Sequence, residues 1–266
     1  VLQAALLGIV QGLTEFLPVS SSGHLILARA VLGWDTERFG LPFDVACHVG
    51  TLLALVIYFR RELGALVAGV PSALATPASP DARLLWLIGL GTIPIVVVVA
   101  LFGDAIETTL RTPRVAIGAL VAGALALFVA ERAGAQTRDE SSLGAASAVM
   151  VGAAQSLALI PGVSRSGATI AAGMLVGLRR DVAARFGFLL GVPAIVAAAV
   201  KSGIDLSEAG VSADAAALMV TGLLTSAAVG YLTITYFIRY LVSHSLAPFA
   251  WYRLGVAGLA LWWLSR

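Results

Sequence analysis

The sequence predicts an all-α polytopic membrane protein, with six full transmembrane helices and two re-entrant helical hairpins arranged as an inverted-topology repeat. Three observations lead there. First, of 266 residues 59% are hydrophobic and only 12% charged, with a mean hydropathy of +0.95, whereas a soluble domain carries roughly 25% charged residues. Second, the apolar residues gather in runs close to the roughly 20 residues needed to cross a hydrocarbon core, spread along the whole length, so a cleaved leader does not account for them. Third, two apolar regions are each broken near the middle by a similar polar cluster.

The first of these regions, Val1 to Gly33, is interrupted at Pro18-Val19-Ser20-Ser21-Ser22-Gly23-His24. Each half is too short to cross, and irregular backbone at membrane depth is tolerated only against protein or a wet cavity, which predicts a re-entrant hairpin. Full spans follow at about Phe43 to Tyr58, Leu84 to Phe102 and Val115 to Val129. The prolines of Pro71 to Asp81 predict a loop, as do the clustered charged and polar residues of Glu131 to Ser142. A second hairpin, Leu143 to Gly177, breaks at Pro161-Gly162-Val163-Ser164-Arg165-Ser166-Gly167. Spans then return at about Phe186 to Val200, Ala215 to Phe237 and Phe249 to Leu264. Trp251, Trp262 and Trp263 read as interface anchors in the last of these. Cys47, the single cysteine, reads as a small packing residue.

A shift of 144 positions pairs Gly8 with Gly152, Gln11 with Gln155, Leu13 with Leu157, Val19 with Val163, Ser20 with Ser164, Ser22 with Ser166, Gly23 with Gly167 and Gly33 with Gly177. The 266 residues therefore read as one integral membrane domain of two repeats, about 1–133 and 143–266. A hairpin returns to its starting side and three crossings leave the chain on the other, so the second repeat must be inverted, and the two polar tips can meet near the midplane. Arg60, Arg61, Arg83, Arg132, Arg138, Arg179, Arg180, Arg185 and Arg239 then share one face, against Arg29, Arg38, Arg111, Arg114, Lys201 and Arg266 on the other. The positive-inside rule places the first group in the cytoplasm and both ends of the chain outside. The net charge of +2 is small and the arginines sit at the ends of apolar runs, so nucleic acid is not an expected partner.

An ionisable side chain in hydrocarbon costs roughly 2.5 to 3.5 kcal/mol on insertion scales, so Glu15 and Arg165 need a reason to be there. Gln11 and Glu15, four apart, share a helical face that points toward Ser20, Ser21, Ser22 and His24. Arg165 offers a permanent fork of donors for phosphate oxygens, and Ser164, Ser166, Thr169 and the amides around them complete a plausible cradle, with Gln155 in support. Opposite it, a carboxylate, an imidazole and hydroxyls supply a base or metal ligand, a proton carrier and a nucleophile. A purely structural Glu15–Arg165 ion pair and serines that only satisfy backbone at a helix break are the plainer readings. Asp44 and His48 read as an interfacial cap and a packed polar residue, and Arg253 with Tyr252 as an anchor at a helix packing position.

The string from Gln11-x-x-x-Glu15 through Pro18-Val19-Ser20-Ser21-Ser22-Gly23-His24 resembles the (Glu/Gln)-x-x-x-Glu motif of bacterial undecaprenyl-pyrophosphate phosphatases, the bacitracin-resistance family. Pro161 to Thr169 is similar to that family's Pro-Gly-x-Ser-Arg-Ser-x-x-Thr motif, and Phe43-Asp44, Tyr58 to Leu63 and Trp251-Tyr252-Arg253 extend the likeness over the chain. Here the first motif opens with Gln, so Glu15 alone must carry any carboxylate role. The resemblance implies removal of the terminal phosphate from undecaprenyl pyrophosphate, regenerating the lipid carrier of peptidoglycan synthesis, in the bacterial inner membrane, with a site open to the periplasmic or outer face and a divalent cation, Mg²⁺ or Ca²⁺. It further implies catalytic roles for Glu15, Ser21, His24 and Arg165, phosphate binding by Ser20, Ser164, Arg165, Ser166 and Thr169, and Glu15 as the metal ligand. Ser21 attacks or positions water while His24 moves the proton, or the two exchange roles, and Glu15 orients His24 or binds metal. The expected partners are the polyprenyl pyrophosphate and membrane lipids, and a homodimer is compatible. Inverted repeats with broken helices are also a transporter design, so a secondary transporter or polyprenyl-phosphate flippase is the alternative. A type-2 phosphatidic acid phosphatase would need a histidine soon after Ser164-Arg165, and none occurs before His244.

Overall fold

The computed structural model describes the chain except residues 36–37, 72–78 and 210–211. Eleven α-helices lie among the described residues: α1 (Leu2–Phe16), α2 (Ser21–Leu32), α3 (Leu41–Tyr58), α4 (Arg60–Ala68), α5 (Pro80–Thr109), α6 (Pro113–Ala133), α7 (Ala145–Leu157), α8 (Arg165–Leu175), α9 (Arg180–Ala209), α10 (Ala213–Leu241) and α11 (Ala247–Leu264). A single 3₁₀ turn, Glu140–Ser142, lies between α6 and α7. The loop expected over Pro71 to Asp81 lies largely outside the described residues, and α5 begins at Pro80 with Ser79 as its cap.

The starts and stops follow local chemistry. Ser79, Thr112 and Ser212 accept hydrogen bonds from the backbone amides of Ala82, Val115 and Ala215, and proline occupies the first turn of α5 and α6, where no amide is needed. At its far end α1 stops at Phe16 because Pro18 drives Leu17 into extended backbone, φ −69° and ψ 145°.

Five helices are long and apolar enough to cross a membrane: α3, α5, α6, α9 and α10. Each holds one of the expected spans. The sixth, Phe249 to Leu264, forms α11, which stands outside that set because Tyr252, Arg253 and its tryptophans dilute its apolarity. By contrast α1, α2, α7 and α8 have 15, 12, 13 and 11 residues. At about 1.5 Å per residue none reaches the ~30 Å of a hydrocarbon core. Large apolar side chains such as Ile93, Val96, Leu101, Phe102, Leu125, Leu224 and Leu261 are exposed on the outside of the bundle, which is the pattern of a lipid-facing surface.

Packing crosses between the two halves. α1 lies along α10 and α7 lies along α5, and α10 also packs on α3 and α11 on α6. Gly8 of α1 touches the backbone of Gly222, and Gly152, its partner 144 positions on, touches the backbone of Gly91, so any Cβ at either would overlap the neighbouring helix. Without a hydrophobic drive between helices in lipid, such small-residue contacts carry the association. The interior around the tips is filled by Phe16, Phe188, Phe237 and Phe249, whose rings meet edge to face or tilted.

Candidate active site

The two interrupted regions turn with the same backbone. Ser20 and Ser164 stand just before α2 and α8 with φ of 75° and 74°, a left-handed setting that costs a non-glycine residue of order 1–3 kcal/mol. Each hydroxyl accepts the amide three residues on, Gly23 N at 3.4 Å and Gly167 N at 3.1 Å. Each also pairs with the next serine but one, Ser20 with Ser22 at 3.4 Å and Ser164 with Ser166 at 3.1 Å. These caps satisfy the exposed amides in the first turns of α2 and α8.

Arg253 locks the turns together. Fully buried, it donates to the carbonyls of Pro18 in the first turn, Gly162 and Val163 in the second, and Ala119 and Leu120 of α6, at 2.8–3.1 Å. Five carbonyls around one guanidinium satisfy a charge that would otherwise be costly at this depth. Ser166 adds a further tie, donating to Leu17 O at 2.9 Å.

Glu15, at the end of α1, is the point where both regions meet. Ser21 Oγ donates to its Oε2 at 2.6 Å and Gln11 Nε2 to the same oxygen at 2.8 Å. Arg165 Nη2 donates to Oε1 at 2.6 Å from the opposite side. The short, charge-assisted contact offsets the cost of burying both ions, although a single pair is a poor bargain in stability terms alone. Arg165 Nη1 and both polar atoms of the fully buried Gln155 have no hydrogen-bond partner. A cavity of about 260 Å³ opens beside them, lined by Glu15, Ser20, Ser21, Ser22, Gln155, Ser164 and Arg165 on its polar side and by Ile95, Leu159, Ala194, Ile195 and Ala198 on its apolar side. Two of these atoms are donors and Gln155 Oε1 is an acceptor, and buried polar atoms of this kind call for a partner.

Of the residues anticipated from sequence, then, Glu15, Ser20, Ser21, Ser164, Arg165 and Gln155 line one cavity, and Gln11 supports it from behind. Three others do not line it. Ser166 is turned to Leu17 O, and Thr169 is buried with its hydroxyl donating to Arg165 O at 2.9 Å, so it braces the helix that carries the guanidinium. His24 lies outside the cavity as well. Its Nδ1–H donates to Ser20 O at 2.7 Å, its Nε2 accepts from Tyr252 at 3.0 Å, and its ring stacks on that tyrosine, 5.6 Å between centroids. One helical turn past Ser20, it is held at Tyr252 of α11, and the direct partner of Glu15 in this turn is Ser21.

Residues read as packing take the vacant places. His48 lines the cavity with Nε2 3.5 Å from Glu15 Oε2, while its Nδ1–H donates to Asp44 O at 2.7 Å. Asp44 and Arg111 line the same cavity. The spacing of Asp44 and His48 was a signal, but nothing local aims them at Glu15. Gly191 of α9 was not singled out at all. A Cβ there would overlap Arg165 Nη1, so the guanidinium lies where only a glycine leaves room.

A resident divalent cation finds a poor donor set. Both oxygens of Glu15 are taken by donors, both oxygens of Asp44 are held by arginines, and among the described residues no group of three His, Cys, Asp or Glu side chains could hold a metal. The side chains present do not fit a cation bound by protein alone.

Comparison with known proteins adds an independent line. The family model described as bacitracin resistance protein BacA matches residues 4–259. An undecaprenyl-diphosphatase of Rubrobacter xylanophilus is 47% identical over 261 residues, covering 97% of this chain and 96% of that protein. One from Alcanivorax borkumensis is 47% identical over 265 residues, 99% and 98% of the two chains, and one from Moorella thermoacetica 42% identical over 270 residues, 100% and 99%.

Proposed function

This chain belongs to the bacitracin resistance protein BacA family, and from that premise and the geometry at Glu15 we propose that it hydrolyses undecaprenyl diphosphate to undecaprenyl phosphate and inorganic phosphate, returning the lipid carrier to cell-wall synthesis. The relatives carry that activity in their names. The observation that brings it to this chain is a hydroxyl, Ser21, hydrogen-bonded to a buried carboxylate whose other oxygen is held by a guanidinium with a free N–H. That is the equipment of nucleophilic displacement at phosphorus: a nucleophile with its base attached, and a cation where equatorial oxygens gather charge.

In this reading Ser21 Oγ attacks the terminal phosphorus as its proton passes to Glu15. The bond to the bridging oxygen breaks and the lipid phosphate leaves. Water then displaces Ser21 from the phosphoryl group, inorganic phosphate departs, and Glu15 returns the proton to Ser21. Arg165 Nη1 and Gln155 Nε2 hold phosphoryl oxygens throughout, with Ser20 and Ser164 fixing the turns. A divalent cation, Mg²⁺ or Ca²⁺, would neutralise part of the diphosphate charge if supplied with the substrate, since such ions keep several waters and bind through substrate phosphates, while the protein's own phosphoryl contacts come from Arg165 and Gln155. The apolar wall of Ile95, Leu159, Ala194, Ile195 and Ala198 is suited to the first isoprene unit.

The same proposal has α11 as the sixth crossing, α1–α2 and α7–α8 as hairpins from opposite leaflets, and the two repeats inverted. It puts the chain in the bacterial inner membrane with its cavity open to the outer face. Leu41 and Arg111 at the cavity's edge belong to the side with fewer basic residues, which supports that orientation. All the polar groups come from one chain, so a homodimer is compatible and not required.

The test is phosphate release from farnesyl and undecaprenyl diphosphates by purified protein in detergent, wild type against Glu15→Ala. Release that Glu15→Ala abolishes is expected; a transporter or flippase would release none from either form.

A further inference from the structure

At the outer edge of the cavity, two arginines share one carboxylate. Arg29 grips Asp44 with both nitrogens, Nη1 to Oδ1 at 2.7 Å and Nη2 to Oδ2 at 3.0 Å, and also donates to Phe39 O. Arg111 places Nη2 2.7 Å from Oδ2 of the same carboxylate. Asp44 is therefore already paired without Arg111. The two cations differ in freedom: the Arg29 side chain is 6% exposed and that of Arg111 29%. Leu41, Asp44 and Arg111 also line a neighbouring cavity of about 230 Å³, so the Arg111 guanidinium has open volume on both sides.

We propose that Arg111 is a second phosphate-binding guanidinium, which exchanges Asp44 for the phosphate that stays on the lipid while the terminal phosphate sits at Ser21 and Arg165. The proposal rests on the function proposed above and says which group reads the diphosphate as a diphosphate. Charge balance supports it. Glu15 and Asp44 face Arg29, Arg111 and Arg165, an excess of one positive charge, and an arriving diphosphate brings at least two negative ones. Arg165 is committed to Glu15 at one end of the cavity, which leaves Arg111 as the cation that can turn to the other end. Its departure strands nothing, because Arg29 keeps both oxygens of Asp44 satisfied, so the exchange avoids the penalty of an orphaned buried carboxylate. A planar fork also suits two oxygens of one phosphate better than an ammonium would.

The experiment measures steady-state phosphate release from farnesyl diphosphate, calorimetric binding of farnesyl methylenediphosphonate, and inhibition by inorganic phosphate, on wild type, Arg111→Ala and Arg111→Gln. Expected are a rise of about tenfold to a hundredfold in KM and in the Kd of the diphosphonate, the range set by one charge-assisted hydrogen bond. Also expected are a kcat within about threefold of wild type, unchanged inhibition by inorganic phosphate, partial recovery in Arg111→Lys, and an unaltered Tm. Unchanged KM and Kd in both variants would overturn the assignment. So would a loss confined to inhibition by inorganic phosphate, which would make Arg111 a holder of the free product, or a fall in Tm as large as that of Arg29→Ala, which would make it structural. Binding of the diphosphonate that depends on Arg111, with no phosphate released by wild type, would sink the proposed hydrolysis and leave this phosphate site standing.

Discussion

The two turns that build the site are the same structure carrying different chemistry. Ser20 and Ser164 share a positive φ within a degree, cap the same amide and pair with the same following serine. Their neighbours, compared 144 positions apart, diverge: Glu15 against Leu159, Ser21 against Arg165, His24 against Ala168, and in the adjoining span Cys47 against Gly191. The serines that shape the turn are matched, while Glu15, Ser21 and Arg165, which carry the charge and the reactive hydroxyl, are not. One turn delivers an acid and a hydroxyl, the other a cation, and Glu15 joins them at 2.6 Å on each side. Duplicating a scaffold and then varying the residues free of structural duty is enough to make an asymmetric site from symmetric parts.

The comparison breaks first at its sharpest difference. Ser21→Ala and Arg165→Lys, at matched positions with unlike side chains, should each lower phosphate release by about a thousandfold while leaving the protein folded, since one removes the nucleophile and the other the two-pronged charge. Near wild-type turnover in either variant would remove that residue from the chemistry. Arg253, which ties both turns to α6, comes next. Arg253→Ala should cost about 3–5 kcal/mol by leaving five buried carbonyls without their donor, read as a lower Tm in detergent. A change confined to activity would contradict its role as a lock.

A smaller effect separates the spans. Gly191→Ala should reduce activity by up to about a hundredfold by pushing the Arg165 guanidinium off Glu15, whereas Cys47→Ala, its register partner packed against Gly222, should cost on the order of 1 kcal/mol of stability and little activity. Equal behaviour of the two would mean that Arg165 has room the structure does not show. The smallest change is expected at His24, where the second turn already carries alanine: His24→Ala should keep activity within about threefold. A loss comparable to that of Ser21→Ala would restore His24 as the proton carrier and remove Glu15 from that task.

Much of this was legible beforehand. The apolar runs located α3, α5, α6, α9 and α10, the Pro-and-Ser clusters located both turns, and the match of Gln11 with Gln155 and Val-Ser-x-Ser-Gly with itself foretold that the turns would be alike. Glu15 and Arg165 stood out because charge in hydrocarbon is rare. His24 adjoins the serines in the chain, and only the fold shows that one helical turn brings its ring to Tyr252. His48 read as a packed polar residue and Arg111 only as one of the basic residues of a face, because their importance depends on how α3 and the end of α5 lean over the first turn.

By itself the sequence determined what each segment is: a helix that can cross, a helix too short to cross, a turn with its cap. Those properties come from a residue's few chain neighbours and from the solvent its side chains prefer, and both are written in order along the chain. The tertiary structure alone decided which charge meets which. Glu15 and Arg165 are 150 residues apart, and His48 reaches the same carboxylate from another helix. A buried ion is assigned its partner by the approach of whole helices, whose final separation is set by contacts as small as the missing side chains of Gly8, Gly152 and Gly191.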